Sequence, residues 1–109
     1  MGITLDVIPM TTYHACMIQS FKCKETERIY SEQTSRRFPL QIQATALRKL
    51  LILDAAAYLD DLRAPPGNRL EALKGDRAGQ HSIRVNDQYR ICFVWTGNGP
   101  ANVEIVDYH

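Results

Sequence analysis

The five residues Ala64-Pro65-Pro66-Gly67-Asn68 divide the chain into two stretches that cannot share one kind of backbone. Proline has no N–H and biases its predecessor away from the helical region, so a helix arriving at this stretch must stop before Ala64. Upstream, Leu40, Ala44, Leu47, Leu51, Tyr58 and Leu62 recur at spacings of three, four or their sums, which predicts one long helix burying that stripe. Downstream the period changes, and the runs Arg69 to Leu73, Gln80 to Val85, Tyr89 to Trp95 and Asn102 to Tyr108 read as strands. Helices followed by strands are the order of an α+β domain.

The remaining segments fill in that outline. Lys24 to Glu32 predicts a short polar helix, Ser35-Arg36-Arg37-Phe38-Pro39 interrupts it, and Pro39 suits an early position of the long helix. Met17-Ile18-Gln19-Ser20-Phe21 alternates as a first strand, and the domain begins there. Residues 1–16 have no cationic start, contain Asp6 and Pro9 and keep no period, so they read as an extension and not as a signal peptide or core element. Asn86-Asp87 predicts a tight hairpin turn, both residues tolerating positive φ, and Thr96 to Pro100 makes the last connection. The whole is β-α-α-β-β-β: a twisted, mainly antiparallel sheet of about four strands with the two N-terminal helices packed on one face. At 109 residues with 45% hydrophobic content, residues 17–109 form a single domain and leave no room for a second.

Charge is balanced overall, at +1, but unevenly placed. Lys22, Lys24, Arg28, Arg36, Arg37, Arg48 and Lys49 form one basic set, and Arg69, Lys74, Arg77, Arg84 and Arg90 a second. Two local cation clusters on a balanced chain permit phosphate contact without indiscriminate polyanion binding; the same residues also serve simply to solvate a surface. The three cysteines, Cys16, Cys23 and Cys92, form no C-x-x-C pair and fit a reducing cytoplasm. His14, Cys16 and Cys23 lack a fourth ligand at zinc spacing, so no metal or other cofactor is expected. No apolar run approaches the roughly 20 residues needed to cross a bilayer. Gly2 stands where a myristoylated glycine would, but Asp6 replaces the Ser or Thr that such a signal needs.

Alternation in the third strand puts Tyr89, Ile91, Phe93 and Trp95 on one face and Arg90 with Cys92 on the other. If the first set faces the helices, Arg90 emerges on an open face. In the last strand Asp107 and His109 share one face and Tyr108 takes the other. Period alone does not decide whether Glu71 or Ala72 points inward. A face carrying Glu71, Lys74, Arg90 and His109 holds an acid, two cations and a group titrating near neutrality. That inventory suits RNA cleavage by internal attack: a base takes the ribose 2′-OH proton, cations stabilise the charge on phosphorus, and an acid protonates the leaving 5′ oxygen. On the residues alone the same set reads more simply as a solvated terminal histidine, a surface arginine, a core or edge tyrosine and a glutamate paired with Arg69 or Lys74.

Four separated motifs carry a resemblance: Met17-Ile18-Gln19-Ser20-Phe21-Lys22, Leu73-Lys74-Gly75-Asp76-Arg77-Ala78-Gly79, His81 through Ile91, and Val106-Asp107-Tyr108-His109. In this order they resemble the HigB toxins of the RelE/ParE superfamily, over Met17 to His109. The resemblance implies a bacterial, cytoplasmic, ribosome-dependent endoribonuclease that enters the 70S A site and cuts translated mRNA. It implies neutralisation by a HigA-type helix-turn-helix antitoxin, through which alone operator DNA is bound, and no membrane partner. By motif position it implies catalytic roles for Arg90, Asp107, Tyr108 and His109, and contact of Lys74 and Arg77 with ribosomal RNA or message; Arg84, Lys22 and Lys24 are added as cations of the same kind. Where some relatives read L-H-P-L-K-G, this chain reads Leu70-Glu71-Ala72-Leu73-Lys74-Gly75, so Glu71 stands at the histidine position. Glu71 or His109 is then the base, and the other, or Tyr108, the acid. Two alternatives share the scaffold: a non-enzymatic ParE-like toxin acting on DNA gyrase, and an inactive relative kept for antitoxin binding.

Overall fold

A computed structural model describes residues 17–108. The extension 1–16 and His109 lie outside the described residues. Helix α1 spans Lys24–Tyr30 and α2 spans Leu40–Ala55; strands β1 (Glu71–Ala72), β2 (His81–Arg84), β3 (Tyr89–Thr96) and β4 (Gly99–Asp107) follow. The strands form one sheet in the order β1-β2-β3-β4, antiparallel throughout. This is the α+β architecture expected, with both helices against one face of the sheet.

The short helix forms where its charges favour it: Glu25 and Glu27 in the first turn and Arg28 in the last complement the helix dipole. It docks through Thr26 and Ile29, both buried, and the Thr26 hydroxyl accepts the Ile105 N–H of β4 at 2.9 Å. Helix α2 begins directly after Pro39. No side chain caps it in the usual way; instead the Gln43 amide donates to the Ser35 and Phe38 carbonyls at 2.7 and 2.8 Å and accepts the Ser35 N–H at 3.1 Å.

The stripe of α2 that is buried differs from the one expected. Ile42, Ala46, Lys49, Leu50 and Leu53 are buried, whereas Leu40 and Leu51 are 72% and 51% exposed and Ala44 is exposed as well. Both sets obey helical spacing, because the helix carries apolar residues almost all round, and spacing alone cannot choose between two such stripes. The helix is also shorter than expected. The Asp61 carboxylate accepts the Ala57 and Tyr58 N–H groups at 3.0 and 2.9 Å, offering the backbone an alternative to helical continuation, and a 3₁₀ turn, Leu59–Arg63, follows. That turn buries Leu62 fully and leaves Tyr58 70% exposed. Lys49 is buried because Asn68 receives it: its ammonium donates to Asn68 Oδ1 at 2.6 Å, while Asn68 Nδ2 donates to the Leu62 and Ala64 carbonyls. Burial, then the nearby Arg48 and Arg84 charges, pushes the Lys49 pKa down.

The first expected strand is reduced to a single parallel bridge, Phe21 to Val103, alongside β4. Pro100 can donate nothing, and Asn102 takes a left-handed backbone (φ 53°), so the flanking bonds fall to Gln19 N–H on the Pro100 carbonyl and Asn102 N–H on Ser20 Oγ. The β2–β3 connection is likewise built by a side chain and not by positive φ. Residues 85–88 turn while Asn86 Oδ1 accepts the Gln88 and Tyr89 N–H groups at 2.8 and 2.7 Å. The non-glycine residues with positive φ among those described are Glu32, Arg69 and Asn102.

Candidate active site

Cross-strand register defines the face that the helices leave open. Ile83, Ile91 and Ile105 pair across β2, β3 and β4 and lie in the core. Their neighbours therefore point the other way: Glu71, Ser82, Cys92 and Glu104 form one cross-strand row, and Arg84, Arg90 and Val106 the next. Tyr89, Ile91 and Phe93 are buried, with Trp95 packed against them, as the alternation of β3 requires.

Arg90 is the fixed point of this face. Its Nε donates to Ser82 Oγ at 2.7 Å and its Nη2 to the Arg69 carbonyl at 2.6 Å, with a longer bond to the Ser82 carbonyl at 3.4 Å. Arg69 supplies that carbonyl from a left-handed conformation (φ 45°, ψ 57°) at the end of the Pro66–Asn68 turn. A strained backbone thus aims an acceptor at the guanidinium. The Glu71 carboxylate stands 3.9 Å from Nη2 and is more than half exposed, whereas the Arg90 side chain is 13% exposed. The cation is held and partly desolvated, and the carboxylate beside it is open to a ligand.

A groove of about 330 Å³ runs over this point, lined by Arg69, Glu71, Arg84, Arg90 and Tyr108 with the Asn86-Asp87 turn. Arg84 is paired with Asp87. Tyr108 is anchored by its backbone, its N–H donating to the Gln88 carbonyl at 2.7 Å. Asp107 does not join this groove. It pairs with Tyr89 across β3 and β4, on the opposite face, where Gln88 Nε2 reaches its carboxylate at 3.1 Å.

The other cations anticipated from the sequence divide into three groups. Arg77, from the 3₁₀ turn Gly75–Arg77, donates to Glu104 at 3.1 Å and to Gln80 at 3.0 Å, and the bond to Glu104 raises its pKa. Lys22 reaches the same Glu104 oxygen at 3.7 Å. Lys74 is exposed where that turn begins. Lys24 lies elsewhere, on a surface groove with Glu27 and Arg28. Cys92 sits buried in the middle of the face; burial pushes its thiol pKa up, Arg77 and Arg90 pull it down, and Glu104 adds to the rise.

His81 is the sole histidine among the described residues. Its ring stacks on Phe93 on the core side, with centroids 6.2 Å apart and Nδ1 without a hydrogen-bond partner. Among the described residues there is no group of three or more His, Cys, Asp or Glu that could hold a metal ion, and no helix long and apolar enough to cross a membrane.

Sequence reasoning passed over Ser82, the Arg69 carbonyl and Glu104. Ser82 and Glu104 follow from the alternation that placed Arg90, once the hairpin registers are known. The Arg69 carbonyl carries no such signal, because an arginine gives no notice of a left-handed backbone.

Residues 19–109 match a family model described as the RelE-like toxin of the type II toxin-antitoxin system HigB. A protein named toxin HigB-1 from Vibrio cholerae is 46% identical over 94 residues, covering 85% of this chain and 98% of that one. The endoribonuclease HigB of Proteus vulgaris is 30% identical over 93 residues, covering 85% of this chain and all of its own. An uncharacterised Haemophilus influenzae protein is 36% identical over 70 residues, 64% of this chain and 69% of that one.

Proposed function

This chain belongs to the HigB family of RelE-like toxins of type II toxin-antitoxin systems, and we propose that it is an endoribonuclease that cuts translated mRNA in the ribosomal A site and so arrests growth. Membership of a toxin-antitoxin family brings an antitoxin partner; we take it to be of the HigA helix-turn-helix type, the part of the complex that meets operator DNA, and the setting to be the bacterial cytoplasm. The single observation that carries the enzymatic reading is the Arg90 guanidinium, aimed by Ser82 and the Arg69 carbonyl into a groove shared with Glu71 and Tyr108.

The cleavage proposed is an internal attack, which that geometry supports. The ribose 2′ oxygen forms a bond to phosphorus while its proton passes to a base, and the bond from phosphorus to the 5′ oxygen breaks as an acid protonates that oxygen. A 2′,3′-cyclic phosphate and a free 5′ hydroxyl result. Arg90 stabilises the extra negative charge on the phosphoryl oxygens, and being already positioned it pays little reorganisation during the reaction. The base and acid are drawn from Glu71, Tyr108 and His109, with Asp107 orienting the terminal segment. Lys22, Lys24, Lys74, Arg77 and Arg84 supply phosphate contacts to ribosomal RNA or message, which makes binding fall with salt.

Mapping mRNA 5′ ends in cells before and after induction tests the reading. New ends within translated reading frames, absent when Arg90→Ala is induced, are expected. Intact messages with blocked DNA supercoiling would overturn it.

A further inference from the structure

A second groove of similar size to the Arg90 groove, about 340 Å³, has a lining that includes Arg37, Phe38, Arg77, Tyr89, Glu104 and Asp107. It exists because β4 is an edge strand for half its length. The segment around Phe21 covers β4 only as far as Val103, and Thr26 takes the Ile105 N–H, so among the described residues the outer edge beyond carries no further strand. Consecutive residues at the end of β4 line the two grooves, Asp107 the second and Tyr108 the first.

Charge distinguishes the residues of this second groove. Arg77 is committed to Glu104, which Lys22 also approaches. Arg37 is in a different position. It is exposed, its guanidinium stacks 5.8 Å from the Phe38 ring centroid, its Nη1 lies 3.7 Å from Cys23 Sγ, and among the described residues no carboxylate lies within ion-pair distance of it. Apart from the Nη1 contact with Cys23, a guanidinium propped on a buried ring keeps its in-plane N–H groups for a phosphate and its free face for a base. Glu104 and Asp107 are outnumbered here by Arg37, Arg77 and Lys22, as Glu71 and Asp87 are in the first groove by Arg69, Arg84 and Arg90. Both grooves therefore favour a polyanion, and the short step along the chain from Tyr108 to Asp107 is the path by which one strand would reach from the first to the second.

We propose that the edge groove is a second RNA subsite, in which the message nucleotide flanking the scissile phosphodiester lies against the Arg37 guanidinium. The inference rests on the endoribonuclease reading and adds a residue and a path for the strand that the family motifs do not mark. Recognition is of single-stranded RNA through one phosphate and one base face, a chemistry tolerant of sequence.

The test uses the full chain and 70S ribosomes programmed with a message that is 2′-O-methylated at the cleavage position and carries 4-thiouridine at its neighbour. Binding is followed against salt, and photo-crosslinked peptides are identified by mass spectrometry. The expected crosslink falls on the segment containing Arg37 and Phe38. Arg37→Ala should weaken binding by about tenfold and reduce the slope of log affinity against log salt by roughly one, while Arg37→Lys keeps the slope. Unchanged affinity and slope, or crosslinks confined to the Arg90 groove, would overturn the proposal. So would an equal loss on ribosomes carrying no message, which would assign Arg37 to ribosomal RNA. Cleavage of an unmodified message by the unmutated protein is measured alongside: no cleavage there defeats the endoribonuclease reading, whereas cleavage together with a silent Arg37→Ala defeats this inference alone.

Discussion

The two faces of the sheet are built from alternate residues of the same strands, yet they are held together in different ways. On the helix side Ile83, Ile91, Phe93, Val103 and Ile105 meet Ile42, Ala46, Leu50 and Leu53 in a continuous apolar core. On the open side the corresponding positions hold Glu71, Ser82, Arg84, Arg90 and Glu104, joined by hydrogen bonds and ion pairs. Apolar burial has no preferred direction and scales with area, so the core face stabilises the fold. The polar face contributes little net stability per contact but fixes orientation, because each bond constrains a donor to an acceptor. The difference teaches that in a sheet this small, stability and chemistry can be assigned to opposite sides of one strand, a single residue apart.

Substitutions that cross this division should separate the two roles. The largest stability change is expected from Phe93→Ala, which removes a fully buried ring and its stack on His81; it should cost about 3–5 kcal/mol in denaturant unfolding. Activity per folded molecule should change little, and a variant that stayed folded but lost cleavage would blur the division between the faces.

Cys92 offers a finer test, because it is a buried thiol on the open side. Its pKa is raised in the folded protein, chiefly by burial. The unfolded thiol ionises from about pH 8.5, so below that value both states are protonated and nothing is lost. As pH rises further the unfolded state sheds its proton first, and stability declines toward the folded pKa. Tyr30, raised by burial and by Asp54, adds a similar decline from about pH 10, while the lowered Lys49 acts in the opposite sense. Cys92→Ala should therefore flatten the fall in melting temperature between about pH 8 and 10. An unaltered slope would mean that the thiol is solvated.

How far the sequence foretold this arrangement depends on the range of the interactions involved. The short helix, the β2–β3 hairpin and the face on which Arg90 emerges follow from neighbours a few residues apart, and they stand where periodicity placed them. The buried side of α2 does not follow, because Leu40, Ala44, Leu47 and Leu51 compete on equal spacing with Ile42, Ala46, Leu50 and Leu53 until a sheet selects one set. Alternation also separates Asp107 from Tyr108, but which of them joins Arg90 depends on the pairing of Arg90 with Val106 across β3 and β4. The left-handed turn at Arg69 is set by tertiary context and leaves no mark in the residue type.

The central claim is that Arg90 belongs to the chemistry and not to the scaffold. Single-turnover cleavage of message on programmed ribosomes by Arg90→Ala, paired with its unfolding free energy, addresses it directly. The account predicts a rate lowered by about 100-fold or more, with a stability loss of about 1–3 kcal/mol, since the buried Ser82 hydroxyl loses its partner. Wild-type cleavage by a folded Arg90→Ala protein would contradict it.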